Sequence, residues 1–328
     1  MASVTRPAGV SSAESGPARA QVLALTAVVV AAMLLTLVTL VNAAAYTVVE
    51  TTDEPTPGDD AVRYRAMAVD GTERILDTVN RASHETTRSA RVAAVDGIET
   101  LDDDLSGSAA DRGAVAYLGS NVARTTPGWI VSAGSPDGSL VNASGASAYT
   151  LAADVDRSRR VVLVVDPTQL ERATRHDAHE RAFRVVFETR TTTTAVYVYR
   201  TAGDVVVAAG TDAETPREVC AVSAVNEHNR LRLALSGEQL GTVRCPDLWP
   251  ASSLASARTY RIGVENADAA EGTLMAIVRT ATTPDSPPIA DHDGISPGVY
   301  DATVAFGYAS ETHRFETTVR VAPGEPHA

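Results

Sequence analysis

Lysine is absent from the 328-residue chain, so all 28 basic residues are arginines. Asp and Glu number 41, which gives a formal net charge of −13 at pH 7. Nucleic-acid binding depends on positive charge that neutralises phosphates, so this balance argues against nucleic acid as a partner. In molar salt the Debye length falls to about 3 Å and acidic surface charges barely repel one another. We therefore expect a halophilic protein.

Aromatic residues and cysteines are also scarce. Aromatics make up 5% of the chain, so the core must be built mostly from Val, Ala and Leu. The two cysteines are Cys220 and Cys245, and neither lies in a recognisable nucleophile motif. In an oxidising compartment such a pair forms a disulfide more readily than a metal site. The sequence thus predicts one disulfide, which would stabilise the fold by about 3 kcal/mol.

Charge is missing altogether from residues 22–45. A membrane-spanning helix needs about 20 apolar residues to cross a hydrocarbon core of ~30 Å, and this run is long enough. The alternative is a signal peptide cleaved after the small residues Ala43, Ala44 and Ala45, which would release a secreted β-protein. Because the apolar region of a signal peptide usually has only about 7–15 residues, the retained transmembrane helix is favoured.

The flanking charges predict the orientation of this helix. Arg6 and Arg19 precede it, whereas carboxylates dominate residues 50–60 after it. Because positive charge stays on the cytoplasmic side, residues 1–21 form a cytoplasmic leader and the chain beyond the helix is extracellular. We therefore expect a single-pass protein of the cell membrane with an extracellular C-terminal domain.

Beyond the apolar run, the pattern predicts an α+β protein in four segments. Pro55, Pro57 and Gly58 indicate a hinge over residues 46–60, and helical spacing of apolar residues predicts a helical stalk over 61–125. A Gly, Ser and Asn-rich stretch within 126–154 reads as a linker. Ten Val, Thr and Tyr-rich runs within 155–328 predict an antiparallel β-sandwich of Ig-like type, ending in a hairpin. One helical interruption is expected at residues 167–180.

Two clusters of histidine and carboxylate could hold a metal ion. His176 and His179 are three residues apart and would share one helix face, as zinc ligands can. They fit neither of the common zinc-protease spacings and lack an evident third ligand, so an exposed polar helix explains them. Asp291, His292 and Asp293 lie before Gly294, a pattern that tight turns also require. We expect no metal and no other cofactor.

Other carboxylate, sequon and aromatic patterns are equally open to plain explanations. Residues 102–104 are three aspartates without the ligand spacing of an EF-hand, so they read as solvated charge rather than a calcium site. Asn142 begins a sequon for N-glycosylation that continues to Ser144. No nucleophile elbow, phosphate loop or dinucleotide fingerprint is present, which favours a non-enzymatic role. Aromatic residues that could line a ligand pocket are Tyr197, Tyr199, Trp249, Tyr260 and Tyr308.

Three stretches of the N-terminal region are distinctive: Arg19-Ala20-Gln21-Val22, Val41-Asn42-Ala43-Ala44-Ala45-Tyr46-Thr47, and Val62-Arg63-Tyr64-Arg65 with Asp70-Gly71. In these stretches the chain resembles a family of uncharacterised single-span haloarchaeal proteins. These motifs cover roughly the first 80 residues. The layout is similar to that of type IV pilins, which have a short basic leader, an N-terminal apolar helix and an exported β-rich head.

This resemblance implies cleavage by a prepilin peptidase after Ala20, which would leave Gln21 as the first mature residue. Pilins commonly carry an early Glu that registers subunits, whereas the fifth residue from this cut is Leu25. A minor, priming or pilin-like component therefore fits better than a major subunit. The expected function is a membrane-anchored envelope protein that binds other envelope or pilus components, including copies of itself in an oligomer or filament. The alternatives are an extracellular solute- or glycan-binding β-sandwich, the secreted β-protein, and a zinc enzyme using His176 and His179.

Overall fold

The computed structural model describes residues 59–326, except for 212–214, 224–229, 282–284 and 293. Within them the chain forms an α+β fold dominated by antiparallel β-sheet. The helices are α1 (Asp59–Arg81), α2 (Thr87–Ala110), α3 (Ala178–Arg181) and α4 (Ala251–Ala255). The strands are β1 (Val115–Gly119), β2 (Thr125–Ser139), β3 (Tyr149–Val165), β4 (Phe183–Glu188), β5 (Thr193–Arg200), β6 (Asp204–Thr211), β7 (Arg217–Ser223), β8 (Leu231–Ala234), β9 (Gln239–Leu240), β10 (Val243–Arg244), β11 (Tyr260–Glu265), β12 (Glu271–Thr280), β13 (Ile295–Ala309) and β14 (Arg314–Val321).

All the described strands belong to one sheet with the order β1-β13-β2-β12-β3-β11-β4-β5-β6-β7. Two long strands exchange partners along their length. β3 pairs with β11 through its first half and with β8 through its last four residues. β13 pairs with β2 through its first half and with both β1 and β14 through its second half. At these points the long strands change neighbours while their backbone groups stay paired.

The largest hydrophobic core lies on one side of this sheet. It gathers alternate residues of β2–β6, β8, β11 and β12, among them Leu151, Leu163 and Phe187. Because Val, Ala and Leu predominate in it, the scarcity of aromatics is met by many small contacts rather than by a few large ones. A separate cluster on the outer face of β4–β6, which includes Tyr197 and Tyr199, is covered by residues 173–182.

Helices α1 and α2 form a second core against β1, β13 and β14. Tyr64 and Leu76 of α1 and Ile98 of α2 are fully buried there. The side chain of Asn80 donates to the carbonyl of Val299 (2.9 Å) and accepts from its amide (2.8 Å), which fixes α1 against β13. The helical content predicted for 61–125 is confirmed as far as Ala110, but the helices pack on the sheet instead of forming a separate stalk.

The linker predicted over 126–154 was wrong in most of its length, because 126–139 belong to β2 and 149–154 to β3, and only 140–148 connect the two strands. β1 lies within the segment that was predicted to be helical. The glycines that indicated a loop are instead required where two strands pack closely against each other. A Cβ on Gly128 would lie 2.6 Å from the amide nitrogen of Tyr300, and one on Gly134 would lie 2.2 Å from the carbonyl of Gly272.

The ten predicted strands all have counterparts, and the terminal hairpin is confirmed as β13 and β14, which pair with Tyr308 opposite Phe315. The helix predicted over 167–180 was wrong, since only Ala178–Arg181 is helical. Asp166 accepts hydrogen bonds from the amide and hydroxyl of Thr168 and so begins a turn rather than a helix.

No helix among the described residues is long and apolar enough to cross a membrane. The predicted leader (residues 1–21), with Ala20 and Gln21 at its proposed cleavage site, lies outside the described residues, as does the predicted transmembrane helix at 22–45. Of the hinge predicted over 46–60, only Asp59 and Asp60 are described, and both belong to α1.

Candidate functional site

The predicted disulfide is present and joins β7 to the segment after β10. Cys245, its second member, is buried in the main core. The amide of Cys245 donates to the carbonyl of Glu238 (2.7 Å), which ties the disulfide to the hairpin between β8 and β9. Residues 245–250 then lead from the disulfide to Trp249 and to the start of α4. The cross-link therefore holds both the hairpin and the Trp249 loop in place.

Glu238 occupies an unusual backbone conformation in this hairpin. Its φ of +50° lies in the left-handed region, which glycine normally occupies at the end of such turns. For a residue with a Cβ this conformation costs about 1–2 kcal/mol. Backbone strain of this kind concentrates at functional sites, where the fold supports a side chain that is needed in one position.

Trp249 lies beside a cavity of about 620 Å³. Its ring packs against Phe187 at 5.1 Å between ring centres, with the two planes 72° apart. The cavity is bounded by the β8–β9 hairpin, by Arg244, by the side chain of Glu73 from α1 and by the C-terminal segment 322–326. We call this opening the Trp249 cleft. A second cavity of about 580 Å³ also reaches Trp249, from the direction of Arg217 and Asp247.

The Trp249 cleft is lined by polar side chains that lack partners. Within the described part of the chain, the side chains of Glu73, Glu238, Gln239 and Arg244 take part in no hydrogen bond or ion pair. The indole N–H of Trp249 also has no hydrogen-bond partner there. Two carboxylates thus offer acceptors, while one guanidinium, one amide and one indole offer donors. These groups remain available to a bound molecule.

Next to the cleft lies a buried network centred on Tyr300. Arg159 is fully buried, and its guanidinium donates to the carbonyls of Pro323 (2.7 Å) and Val299 (3.1 Å). Arg159, Arg279 and Arg320 all lie over the Tyr300 ring at 5.7–6.0 Å from its centre. Each guanidinium is attracted to the ring face, and the tyrosine packs between the arginines and the core.

Carboxylates neutralise most of the charge in this network. Arg279 binds Asp156 through two nitrogens at 2.6–3.0 Å. Arg320 binds Asp301 at 2.7 Å and Glu325 at 2.5 Å, and the hydroxyl of Tyr300 donates to Glu325 at 2.9 Å. Glu325 therefore closes the C-terminal segment over the network.

The pKa shifts follow from burial and from these bonds. Burial, followed by repulsion from Arg160, lowers the pKa of Arg159 to about 10. Burial also raises the pKa of Tyr300, and the neighbouring Glu325 raises it further. Burial alone would raise the pKa of Glu325, but hydrogen bonds from Arg320 and Tyr300 outweigh it and lower that pKa.

The two histidines proposed as zinc ligands do not share a helix face. His176 lies in an exposed turn before α3, and only His179 belongs to that helix. The Nδ1 atom of His179 lies 2.9 Å from a guanidinium nitrogen of Arg184 and 3.2 Å from the hydroxyl of Tyr197, so donors occupy its lone pair. No group of three or more potential metal ligands exists among the described residues.

The remaining polar candidates hold local structure. His292 bonds to the carbonyl of Leu151 (2.7 Å) and to the amide of Gly294 (3.0 Å), while the Asp291 carboxylate accepts from the amide of Thr150 at 2.9 Å. That bond is the main reason why the pKa of Asp291 is lowered. Asp293 lies outside the described residues.

Asn142 and Asp102 also have structural partners. The amide nitrogen of Asn142, where a glycan would attach, donates to the carbonyl of Asp291 at 3.0 Å, and its oxygen accepts from Ser144 at 2.8 Å. Asp102 accepts from the amide of Leu118 at 2.6 Å and joins α2 to β1. Glycosylation of Asn142 stays a prediction.

Among the five aromatic candidates, Trp249 is the one that lines a large opening of the described structure. Tyr197 and Tyr199 are buried under residues 173–182, and Tyr308 stacks on Tyr64 at 5.2 Å between ring centres. Tyr260 borders only a small cavity of about 40 Å³, and its hydroxyl bonds to Ser158. Sequence reasoning missed Glu238 and Arg159, whose roles depend on backbone conformation and burial.

Comparison with known proteins adds no functional assignment, since no family model, no curated protein and no solved structure matches this chain. The geometry itself is therefore the guide to function. It separates a cross-linked cleft with unpaired polar side chains, suited to binding, from a buried network suited to holding the fold. In that network the charged side chains are hydrogen-bonded, although the Nε atom of Arg159 has no partner. The cleft is the candidate functional site.

Proposed function

We propose that this protein is a membrane-anchored, exported envelope protein with a pilin-like layout, whose β-rich domain acts by binding other molecules. The observation that carries this proposal is the closed disulfide in a domain that follows a long apolar segment. Disulfides persist in oxidising compartments and are rare in the cytosol. The acidic, lysine-free composition fits an exposed surface in concentrated salt.

The proposed partners are other envelope or pilus components, including further copies of this chain. Support comes from strands that are paired along one edge only in the described structure, β7 with β6 and β14 with β13. An extended segment of another protein can add to such an edge through backbone hydrogen bonds. Residues along β14 are largely exposed, and Phe315 is among the exposed large apolar side chains.

The domain is proposed to be a β-sandwich of Ig-like or pilin-like type. Antiparallel strands surround one large core, as they do in sandwich domains. The helices α1 and α2 then add a cover at the end formed by β1, β13 and β14. Such a domain would present its loops and edges outside the cell while the apolar segment 22–45 holds it at the membrane.

The first experiment is to map the mature N-terminus and the topology of the native protein. Peptide mass spectrometry on separated membrane, filament and medium fractions would identify the first residue. A start at Gln21 in the membrane or in sheared filaments supports the pilin-like proposal. An uncut leader in the membrane supports a plain anchor, and a start at Tyr46 in the medium would show a secreted β-protein instead.

Protease added to intact cells gives an independent test of export. We expect digestion of the β-rich domain from outside, together with a thiol-labelling pattern that shows Cys220 and Cys245 oxidised in the cell. Protection of the domain in intact cells and labelling of both thiols would place it in the cytosol and overturn the proposal.

A further inference from the structure

We propose that the Trp249 cleft is a binding site for an uncharged oligosaccharide of two or three pyranose units. Access to such a ligand rests on the proposed extracellular position of the domain, whereas the binding chemistry rests on the cleft alone. The inference combines three features of the described residues: the size of the cleft, its single indole and its unpaired polar side chains.

The volume of the cleft suits a short oligosaccharide. Ligand sites usually enclose about 300–1,000 Å³, and the cavity measures about 620 Å³. One wall is the indole of Trp249, whose position is fixed by its edge contact with Phe187. A pyranose has an apolar face of C–H groups and a rim of hydroxyls, so it can stack on an aromatic ring while its rim remains free to bond.

The rim of such a sugar meets matched partners in the cleft. Each hydroxyl both donates and accepts, and the unpaired groups offer both functions: the carboxylates of Glu73 and Glu238 accept, whereas Arg244 and Gln239 donate. A site for an apolar ligand would not require these groups. Specific sites reject analogues that leave such polar groups unpaired, which gives the cleft a basis for discrimination.

The unpaired charges on the cleft are of both signs, which suits a ligand that binds through many hydrogen bonds rather than through a net charge. An anion would face the carboxylates of Glu73 and Glu238, and a cation would face the guanidinium of Arg244. The nearby Arg320 and Glu325 neutralise each other at 2.5 Å and so add no free charge. Binding through stacking and hydrogen bonds should also survive the high salt in which an acidic protein of this kind is stable.

The cleft is held in shape before any ligand arrives. The disulfide fixes the Trp249 loop, the 2.7 Å bond from Cys245 to the carbonyl of Glu238 fixes the hairpin, and Glu238 is held in a left-handed conformation. A rigid site loses less conformational entropy on binding than a flexible one. The strained left-handed backbone conformation of Glu238 directs the carboxylate into the site, which explains why the strain is present.

Intrinsic fluorescence can test this proposal because the chain has two tryptophans, Trp129 and Trp249. The full-length protein in detergent and 2 M KCl would be titrated with maltotriose, cellotriose, mannotriose and triacetylchitotriose, with isothermal calorimetry in parallel. We expect saturable binding of at least one trisaccharide. In the Trp129→Phe variant the fluorescence response should remain, because Trp129 belongs to the core and Trp249 is the reporter.

Binding-site variants locate the response. Trp249→Ala should weaken binding at least tenfold, and Glu238→Gln should weaken it about three- to tenfold. Glu271→Gln, at the start of a strand outside the cleft, is the matched control and should bind like the wild type. Circular dichroism and the oxidised state of Cys220 and Cys245 would show that each variant is folded.

Three results would overturn the inference: no binding of any of the four trisaccharides by the folded protein, equal binding by Trp249→Ala, or preferential binding of tetramethylammonium that disappears in 2 M KCl. The last result would identify a cation site. The topology tests are separate. If the protein is found in the cytosol but binds saccharide, the export proposal fails while the saccharide site stands. If the protein is exported but binds no saccharide, the saccharide site fails while the export proposal stands.

Discussion

The buried network around Tyr300 and the Trp249 cleft meet along the same C-terminal segment, yet they treat polar groups in opposite ways. In the network, Arg279 and Arg320 have carboxylate partners and Arg159 bonds to two carbonyls. In the cleft, Glu73, Glu238 and Arg244 have no partner within the described chain. Buried polar groups must be paired to be tolerated, whereas unpaired groups are tolerated where water or a ligand reaches them. This contrast indicates that the network residues stabilise the fold, whereas the cleft residues serve binding.

We expect the largest change in stability from a substitution in the Tyr300 network. Arg159→Ala should lower the free energy of unfolding by about 3–5 kcal/mol, since it leaves a cavity, removes the donor of the Pro323 carbonyl and leaves Val299 with Asn80 as its side-chain donor. Arg157→Ala, two positions earlier on the same strand and exposed, should change it by less than about 0.5 kcal/mol. Urea unfolding of both variants measures this, and equal effects would show that burial of Arg159 is unimportant.

Removal of the disulfide should lower both the stability of the fold and the affinity of the Trp249 cleft. The variant with both Cys220 and Cys245 changed to Ser should lose about 3 kcal/mol of stability, because the cross-link closes a loop of 25 residues. Its saccharide affinity should fall as well, since the Trp249 loop is no longer held. Thermal unfolding with and without a reductant provides the check. A variant with unchanged affinity would show that the loop keeps its shape unaided.

Glu325→Gln should produce a smaller loss of about 1–2 kcal/mol at neutral pH, since hydrogen bonds to charged groups are worth about that much. The folded-state pKa of Glu325 lies below the unfolded value, so its ionised form stabilises the folded protein above about pH 4.3, and this contribution disappears as the pH falls. Unfolding curves between pH 7 and 3 should therefore converge for wild type and variant. Parallel curves would contradict the assigned bonds.

The smallest effect has the opposite sign. Glu238→Gly should raise stability by about 0.5–1 kcal/mol, because glycine adopts the left-handed conformation without a Cβ clash, partly offset by its entropy. The same variant should bind the saccharide less well. Glu238→Ala removes the carboxylate but keeps the strain, so it should lose affinity without gaining stability. A variant with higher stability and unchanged affinity would show that the strain has no role in binding.

Much of the sheet could be read from the sequence because its strands alternate. β13 and β14 show this best, where Ala302, Val304 and Phe306 point into one core and Phe315 faces Tyr308. β2 could not be recognised because Gly128 and Gly134, which normally indicate loops, are required there by the close approach of neighbouring strands. That approach depends on residues more than 100 positions away, which local patterns do not reveal.

The candidate site was predictable only in part. The cysteine pair indicated the disulfide, and Trp249 was one of several aromatic candidates, but nothing local distinguished it from Tyr197 or Tyr260. Burial in the folded chain made that distinction. The spacing of His176 and His179 was misleading because the residues immediately before Ala178 are not helical. The two histidines therefore do not lie on the same face of a helix.

The pairing of β13 with the N-terminal helices has a consequence for how the chain acquires its structure. Asn80 meets Val299 across 219 positions, and Val115 pairs with Ala309. Helices α1 and α2 emerge early during synthesis, but the surface that buries Tyr64 and Ile98 is completed only when the last strands appear. Contacts of such separation slow folding and leave intermediates with exposed apolar faces. Helices α1 and α2 are thus made before the strands that bury them, and a chain truncated before β13 would lack their docking surface.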